Sequence, residues 1–581
     1  MTQGTKSCQS CKNDFVVESE DFAFYEKMKV PAPTWCPRCR MVRRTNFRNI
    51  RSLYTRTCGL CKKNIITMYH PDDPAPVFCN SCWSSDGWDA MEYAQEIDWS
   101  KPFFSQWREL FQKVPRFALW QVQPLENCDY TNYSINNKNC YLAYSVTGCE
   151  DIRYSENIDK SNGCLDTLYL TEGNECYENI DCSKNYNSSY IIQSRSCIDS
   201  WFLFDCVNCT NCFMSANLRN KQYVFRGEQL SKEEYEKRWN EIDTKKFSVI
   251  EALNKEFKTV CERAIHKYAD IVASVDSTGN HISNSTNVVN SYGVYECENI
   301  KNGMRILKNC KDCHDLYGLA DGECIYDCVA VSYQTYNCAF SFLCNTSIAN
   351  CRYAALCLSS NEIFGCIGMK KASYCILNKQ YSKEEYEALL PKIIHSMNDL
   401  PYRDKEGRTY GYGEFFPPEF SPFGYNETVA FDLYPEMQEK AMKDGYAWKE
   451  SEKKDYKITI KADDLSDSLD ATENTLTKEI IGCAHEQNCN HQCTNAFKIL
   501  KDDLEFYRAH KVPLPRLCPN CRHYERLAKR EPVELWDRAC MCDGATHTHG
   551  TSPCATMFKT SYAPNRPEAV YCETCYQEEI V

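Results

Sequence analysis

No apolar run in this chain approaches the roughly 20 residues that a helix needs to cross a membrane, which excludes a helical membrane protein. No apolar signal segment follows Met1-Thr2-Gln3-Gly4, and Cys8 arrives almost at once, so the expected location is the cytoplasm rather than an oxidising exterior. Acidic residues are missing between Arg38 and Arg56, and basic ones are missing around Asp463, Asp464, Asp467, Asp470 and Glu473. A net charge of −13 excludes a protein that coats nucleic acid over its whole surface, although one end is strongly basic. No paired-carboxylate motif of the kind used for acid and base catalysis stands out.

What the chain does have is cysteine, 40 of them in 581 residues. A chain of this length divides into several domains, because single cores rarely exceed about 250–300 residues. In a reducing compartment, close cysteine pairs read as metal ligands and isolated cysteines as small buried hydrophobes. The two ends share one cysteine grammar. Cys11 to Cys36 spans 25 positions and Cys39 to Cys58 spans 19, and the same 25 and 19 recur from Cys493 to Cys518 and from Cys521 to Cys540. Phe24-Tyr25 and Val30-Pro31-Ala32-Pro33 reappear as Phe506-Tyr507 and Val512-Pro513-Leu514-Pro515.

Residues 1–97 contain four CxxC pairs, Cys8/Cys11, Cys36/Cys39, Cys58/Cys61 and Cys79/Cys82. A tight turn presents both sulfurs of such a pair to one tetrahedral Zn²⁺, so this count implies two zinc sites, built from sequential pairs or cross-braced. At the other end the candidate ligands are Cys489, Cys493, Cys518, Cys521, Cys540, Cys542, Cys572 and Cys575. Cys483, His485, His491, His547, His549 and Cys554 are spare donors there. The expected cofactor is Zn²⁺, about four structural ions in closed sites that leave no position for a substrate.

The stretch Cys8-Gln9-Ser10-Cys11, Phe15, Phe24-Tyr25, Cys36-Pro37-Arg38-Cys39-Arg40 resembles the small zinc-ribbon domains of uncharacterised bacterial proteins. The whole chain resembles a cysteine-rich group of such proteins that carries this domain at both ends. The close match covers residues 8–44 and 493–526 and implies zinc binding, with no established activity.

Between the ends, residues 93–119 read as an amphipathic helix whose aromatics, Trp99, Phe103, Phe104, Trp107 and Phe111, pack inward, with Pro115 ending the pattern. Then Asn-Cys dipeptides begin, at Asn127-Cys128, Asn139-Cys140, Asn208-Cys209, Asn211-Cys212, Asn309-Cys310, Asn337-Cys338 and Asn350-Cys351. Cys140, Cys164, Ser188 and Cys212 fall at intervals of 24, while Cys313, Cys324, Cys338, Cys351 and Cys366 come at about half that spacing. Such a period predicts a parallel β-solenoid with Cys, Ser and Ala inside and asparagine ladders at its turns. It is duplicated: Ser231-Lys232-Glu233-Glu234-Tyr235-Glu236 recurs 151 residues later as Ser382-Lys383-Glu384-Glu385-Tyr386-Glu387, each copy opening a helix with a capping box.

The expected fold is mixed and mainly β, a duplicated parallel β-solenoid flanked by zinc-ribbon-like modules with helical insertions. Its divisions are 1–97 (double zinc module), 98–126 (helical connector), 127–230 (solenoid half), 231–280 (helical insertion), 281–381 (second half), 382–449 (helix and wrapping segment), 450–480 (solvated acidic linker) and 481–581 (C-terminal zinc module).

Function then rests on surfaces. Arg38, Arg40, Arg43, Arg44, Arg48, Arg51 and Arg56, interleaved with Phe47 and Tyr54, offer guanidinium groups for phosphates and rings for bases, so the expectation is a non-catalytic scaffold or adaptor engaging RNA, single-stranded nucleic acid or another polyanion, or a protein partner. The bland alternatives are a solvated face or one docked on the acidic segment 463–473. A β-helix enzyme acting on carbohydrate through Asp181, Asp199, Asp205, Asp312, Asp315 and Asp327 is a second reading, resting on fold analogy. A thiol-rich redox or metal store is a third.

Overall fold

The computed structural model describes residues 4–307, 317–320, 326–327, 329–332, 336–450, 456–542, 547, 549 and 554–581. Among them are twelve α-helices, many short strands and no closed barrel; the largest sheet has 11 strands. That sheet runs in strict chain order, from Gln121–Glu126 to Glu228–Gln229. All its pairs are parallel except the last, a hairpin between Val224–Phe225 and Glu228–Gln229.

The chain pairs with itself every twelve residues: Tyr144 with Glu156, Glu156 with Leu168, Leu168 with Ile180. The interval of 24 in the sequence is therefore two returns. Within each return the structural period is three. Cys140, Ala143, Val146, Cys149, Ile152, Ser155, Ile158, Ser161 and Cys164 are all buried. The residues two places after each buried one, such as Leu142, Ser145, Asp151, Tyr154, Asn157 and Lys160, have φ between 45° and 55° or, for Asn157, 60°. The residues between, among them Tyr141, Glu150 and Arg153, carry the parallel bridges to neighbouring returns. A left-handed residue costs roughly 1–2 kcal/mol unless it is Gly, Asn or Asp. This explains the Asn-Cys dipeptides: asparagine takes the left-handed corner and the next residue points inward.

Corner asparagines are bonded to their counterparts one return away. Asn127 Nδ2 donates to Asn139 Oδ1 at 3.1 Å, Asn187 to Asp199 at 2.6 Å, and Asn208 to Asn220 at 2.7 Å. The second half has a six-stranded sheet from Ile271–Val272 to Val329–Ser332 and a four-stranded one from Ala349–Arg352 to Lys379–Gln380, with the same asparagine pairing at Asn287/Asn299 (2.8 Å). Its step varies, from eleven residues between Ile271 and Ile282 to twelve between Gly279 and Ser291 and thirteen between Ala339 and Arg352. Asn309, Cys310, Cys313 and Cys324 lie outside the described residues.

Three expectations change in detail. The predicted helix over 93–119 is shorter, a 3₁₀ turn Ala90–Tyr93 and then a helix Phe103–Lys113, because Pro102 supplies no N–H and sets the start. Phe103, Phe104, Trp107 and Phe111 are buried, but Trp99 lies outside the helix and is 47% exposed. At Ser382 the capping box is complete, whereas Ser231 only accepts the Glu234 N–H, since Glu234 itself is engaged by Arg238 at 3.0 Å. The acidic segment is not simply a solvated linker: Ala462, Leu465, Leu469 and Leu476 are buried, and Asp467 accepts from Ser248 N and Oγ at 2.8 Å. The helix Phe247–Arg263 supplies Ser248.

The segment around Phe415-Phe416 packs into the N-terminal core, with Phe416 centred 4.2 Å from Trp107 and Phe415 5.4 Å from Phe47. The two ends of the chain pack on both strand ladders, Arg51 on Glu156 and Glu531 on Asn280 among the contacts. N-terminal residues also meet the second half, as in Phe24 with Tyr326 and Phe47 with Phe342, and C-terminal ones meet the first, as in Tyr507 with Tyr177.

Candidate metal centres

Each cysteine cluster joins two backbone turns. In the N-terminal module the hairpin Gly4–Ser7/Asp14–Val17 turns through Cys8 and Cys11, and the hairpin Tyr54–Thr57/Asn64–Thr67 through Cys58 and Cys61. Lys12 and Lys62 close these turns with φ of 65° and 62°. The second turn of each cluster is a helix start. Cys36 precedes the helix Pro37–Thr45 and Cys79 the helix Asn80–Ser84, while Cys518 precedes Pro519–Leu527 and Cys572 precedes Glu573–Ile580. Unpaired N–H groups at a helix N-terminus favour thiolate over thiol.

Four tetrads have all donor atoms within 4.8 Å of one another: Cys8, Cys11, Cys36 and Cys39; Cys58, Cys61, Cys79 and Cys82; Cys483, Cys493, Cys518 and Cys521; and Cys540, Cys542, Cys554 and Cys575. The N-terminal pairs associate sequentially. Sulfurs at about 2.3 Å from one ion stand roughly 3.8 Å apart along the edges of a tetrahedron. The separations fit: Cys11 to Cys36 is 3.8 Å, Cys61 to Cys79 3.9 Å, Cys483 to Cys521 3.8 Å and Cys493 to Cys518 3.9 Å. Disulfides need about 2.05 Å, and the described cysteines are free.

One hydrogen bond recurs in all four centres. The N–H of the cysteine at the helix start donates to the first sulfur: Cys36 to Cys8 at 3.2 Å, and Cys79 to Cys58, Cys518 to Cys483 and Cys572 to Cys540 at 3.3 Å each. At Cys58 burial pushes the thiol up, but N–H groups of Cys79, Cys61 and Leu60 outweigh it and hold it at about 6. Such donors stabilise the ligating anion.

The C-terminal ligand set differs from expectation in two places. Cys483 completes the third tetrad in place of Cys489, and it is Cys483 that takes the helix-start N–H as Cys8 does. In the fourth tetrad Cys554 joins Cys540, Cys542 and Cys575, and Cys572 stays with them, buried, its N–H on Cys540 Sγ and its own sulfur interacting with Cys575 and Cys540. His549 Nε2 is 3.5 Å from both Cys542 Sγ and Cys575 Sγ, while His547 Nε2 lies 3.1 Å from Glu579.

The arginine segment is not a surface. Arg43 and Arg44 are fully buried, Arg43 bonded to Glu414 at 3.0 Å and Asp327 at 3.1 Å, and Arg44 to Asp327. Burial alone would lower the Arg43 guanidinium, but Glu414 and Asp327 reverse the shift and keep it charged. Arg40 donates to Trp35 O at 2.7 Å, and Arg48 lies over the rings of Tyr133 and Tyr317 at 4.2 and 4.9 Å. Arg51 meets Glu156 at 3.3 Å, Arg56 donates to the carbonyls of His70, Asp73 and Ala75, and Tyr54 donates to Glu427. Phe47 is wholly buried, and Arg38 alone of the nine is exposed. The segment contains no acid because its acids come from elsewhere in the chain, and they are not those of 463–473.

The C-terminal copy repeats this. Arg40, Arg44 and Arg48 correspond to Arg522, Arg526 and Arg530, at four-residue intervals that run from each helix into the turn beyond it. Arg522 meets Asp166 at 3.0 Å, Arg526 meets Asp166 at 2.9 Å and Glu178 at 2.8 Å, and Arg530 meets Asp181 at 2.8 Å. The shared spacing after CPxC was the available signal.

The carboxylates considered for catalysis are engaged too. Asp181 and Asp327 hold these arginines, Asp199 accepts from Asn187, and Asp205 meets Arg219 at 3.0 Å; Asp312 and Asp315 lie outside the described residues. Burial pushes the Cys149 thiol up to about 11, away from the nucleophilic thiolate. No described helix is long and apolar enough to cross a membrane. No protein family, curated protein or solved structure matches the chain, so the zinc-ribbon resemblance stands on its motifs alone.

Proposed function

We propose that this protein is a non-catalytic zinc-binding scaffold of the cytoplasm, in which zinc-ribbon modules at both ends clamp a duplicated β-solenoid, divided at the boundaries read from the sequence. The observation that carries the reading is the set of sulfur tetrads, three of them with edges of 3.8–3.9 Å, the separation that tetrahedral Zn²⁺ requires. Sulfur-rich donors suit Zn²⁺ over Mg²⁺ or Ca²⁺, and four thiolates leave no open coordination position. The long faces of stacked returns offer room for a protein partner. A nucleic-acid partner is no part of this reading, because its guanidinium groups are occupied within the chain. The test is to purify the full chain under reducing conditions and measure zinc and titratable thiols. About four zincs per chain are expected from the four tetrads; a folded chain without metal would overturn the reading.

A further inference from the structure

Resting on that metal reading, we infer that the third centre is binuclear, with the Cys521 thiolate bridging two metal ions. Cys521 belongs to two groups at once. One is the buried tetrad with Cys483, Cys493 and Cys518; the other comprises His485, Cys489 and His491 with Cys521, whose four donor atoms also lie within 4.8 Å of one another. Cys521 Sγ is 3.8 Å from Cys483 Sγ on one side and 3.8 Å from Cys489 Sγ on the other. Both distances match the edge of a tetrahedral site, so the same sulfur serves as a vertex twice.

The nitrogens support the second ion. His485 Nδ1 and His491 Nδ1 are buried and have no hydrogen-bond partner, an expensive arrangement for a polar atom unless something else occupies it. His485 Nε2 lies 3.5 Å from Glu525, the carboxylate contact that orients a metal-binding imidazole, and His491 stacks on Tyr524 at 5.4 Å. The backbone is shaped for this. In the N-terminal copy only Gln9 and Ser10 separate the first two ligands, whereas residues 484–492 separate Cys483 from Cys493. That insertion is folded by left-handed residues at Glu486, Gln487 and Gln492 and by Asn488 N–H on His485 O at 2.7 Å. A second dication also spreads the excess negative charge of the thiolates. The inner ligands are buried and the outer His485, Cys489 and His491 only half-buried, so the outer ion exchanges first.

The experiment compares the full-length wild type with the H485A/H491A variant, using Zn²⁺ and then Co²⁺ as probes. The wild type is expected to hold one more zinc per chain than the variant, an ion additional to those of the four tetrads, and a mild chelator removes that ion from the wild type before any other. Equal zinc content in the two folded proteins overturns the bridged centre while leaving the tetrads standing. A wild type with no metal overturns the metal reading itself. Should the variant fail to fold, the Co²⁺-loaded wild type decides: magnetic coupling between two cobalt ions supports the bridge, and only uncoupled cobalt overturns it.

Discussion

The two end modules are copies of one design that keep different things. The N-terminal copy has compact ligand turns, two residues between paired cysteines, and two centres each made of four cysteine sulfurs. The C-terminal copy has lengthened its turns, recruited Cys483 and Cys554, and surrounds its sulfurs with His485, His491 and His549. What both retain is the helix after CPxC with arginines at four-residue intervals from its first turn, and the seating of the middle one on an acid of the strand ladder, Arg44 on Asp327 and Arg526 on Asp166. Ligand loops have therefore drifted more freely than the face that docks, which is what is expected if a metal tolerates any suitably placed thiolate while a buried charge tolerates only its partner.

The largest effect expected from breaking this comparison comes from the sulfur that receives the helix-start N–H. Cys8→Ser and Cys483→Ser should each cost one metal per chain and with it part of the roughly 10–16 kcal/mol that a structural zinc contributes to its domain. Elemental analysis with thermal melting checks this; if Cys489→Ser alone abolished the inner site, the assignment of Cys483 would fail. Next come the docking acids. Asp327→Ala and Asp166→Ala each leave buried arginines uncompensated and should cost about 3–5 kcal/mol, read from denaturant unfolding. A loss at one and not the other would show that the two clamps are not equivalent. Smallest is Asn208→Gly, which keeps the left-handed backbone and removes one exposed corner hydrogen bond to Asn220, about 0.5–1.5 kcal/mol, and should leave metal content unchanged in both modules.

The N-terminal centres were legible because their ligands are local: the CxxC turn and the following helix are set within a few residues. Cys483 was legible only as a spare donor, since the spacing rule pointed to the nearer Cys489 and nothing in the sequence reveals how the intervening residues fold back. The strand ladder was half legible. Cysteines at 24 marked every second return, but the inward position also accepts Ser, Thr, Ile and Leu, which hides the step of three. The burial of Arg43 and Arg44 was invisible because Asp327 and Glu414 lie 283 to 371 residues away in the chain. A basic run with no local acid looks the same whether it faces water or a distant carboxylate.

The seating of Arg526 also settles a problem that repetition creates. Successive returns are so alike that sliding the ladder by one of them would preserve nearly every backbone bond. Asp166 and Glu178 are the same corner one return apart, and Arg526 spans both, while Arg530 reaches Asp181 in the adjoining column. Arg522 and Arg526, four residues apart, rise about 6 Å along their helix, against about 4.8 Å between strands, and they meet Asp166 and Glu178 one return apart, so a slip of one return would put Tyr154 or Tyr190 in place of a carboxylate. The arginine helix thus acts as a key that fixes the register of a lattice unable to count for itself.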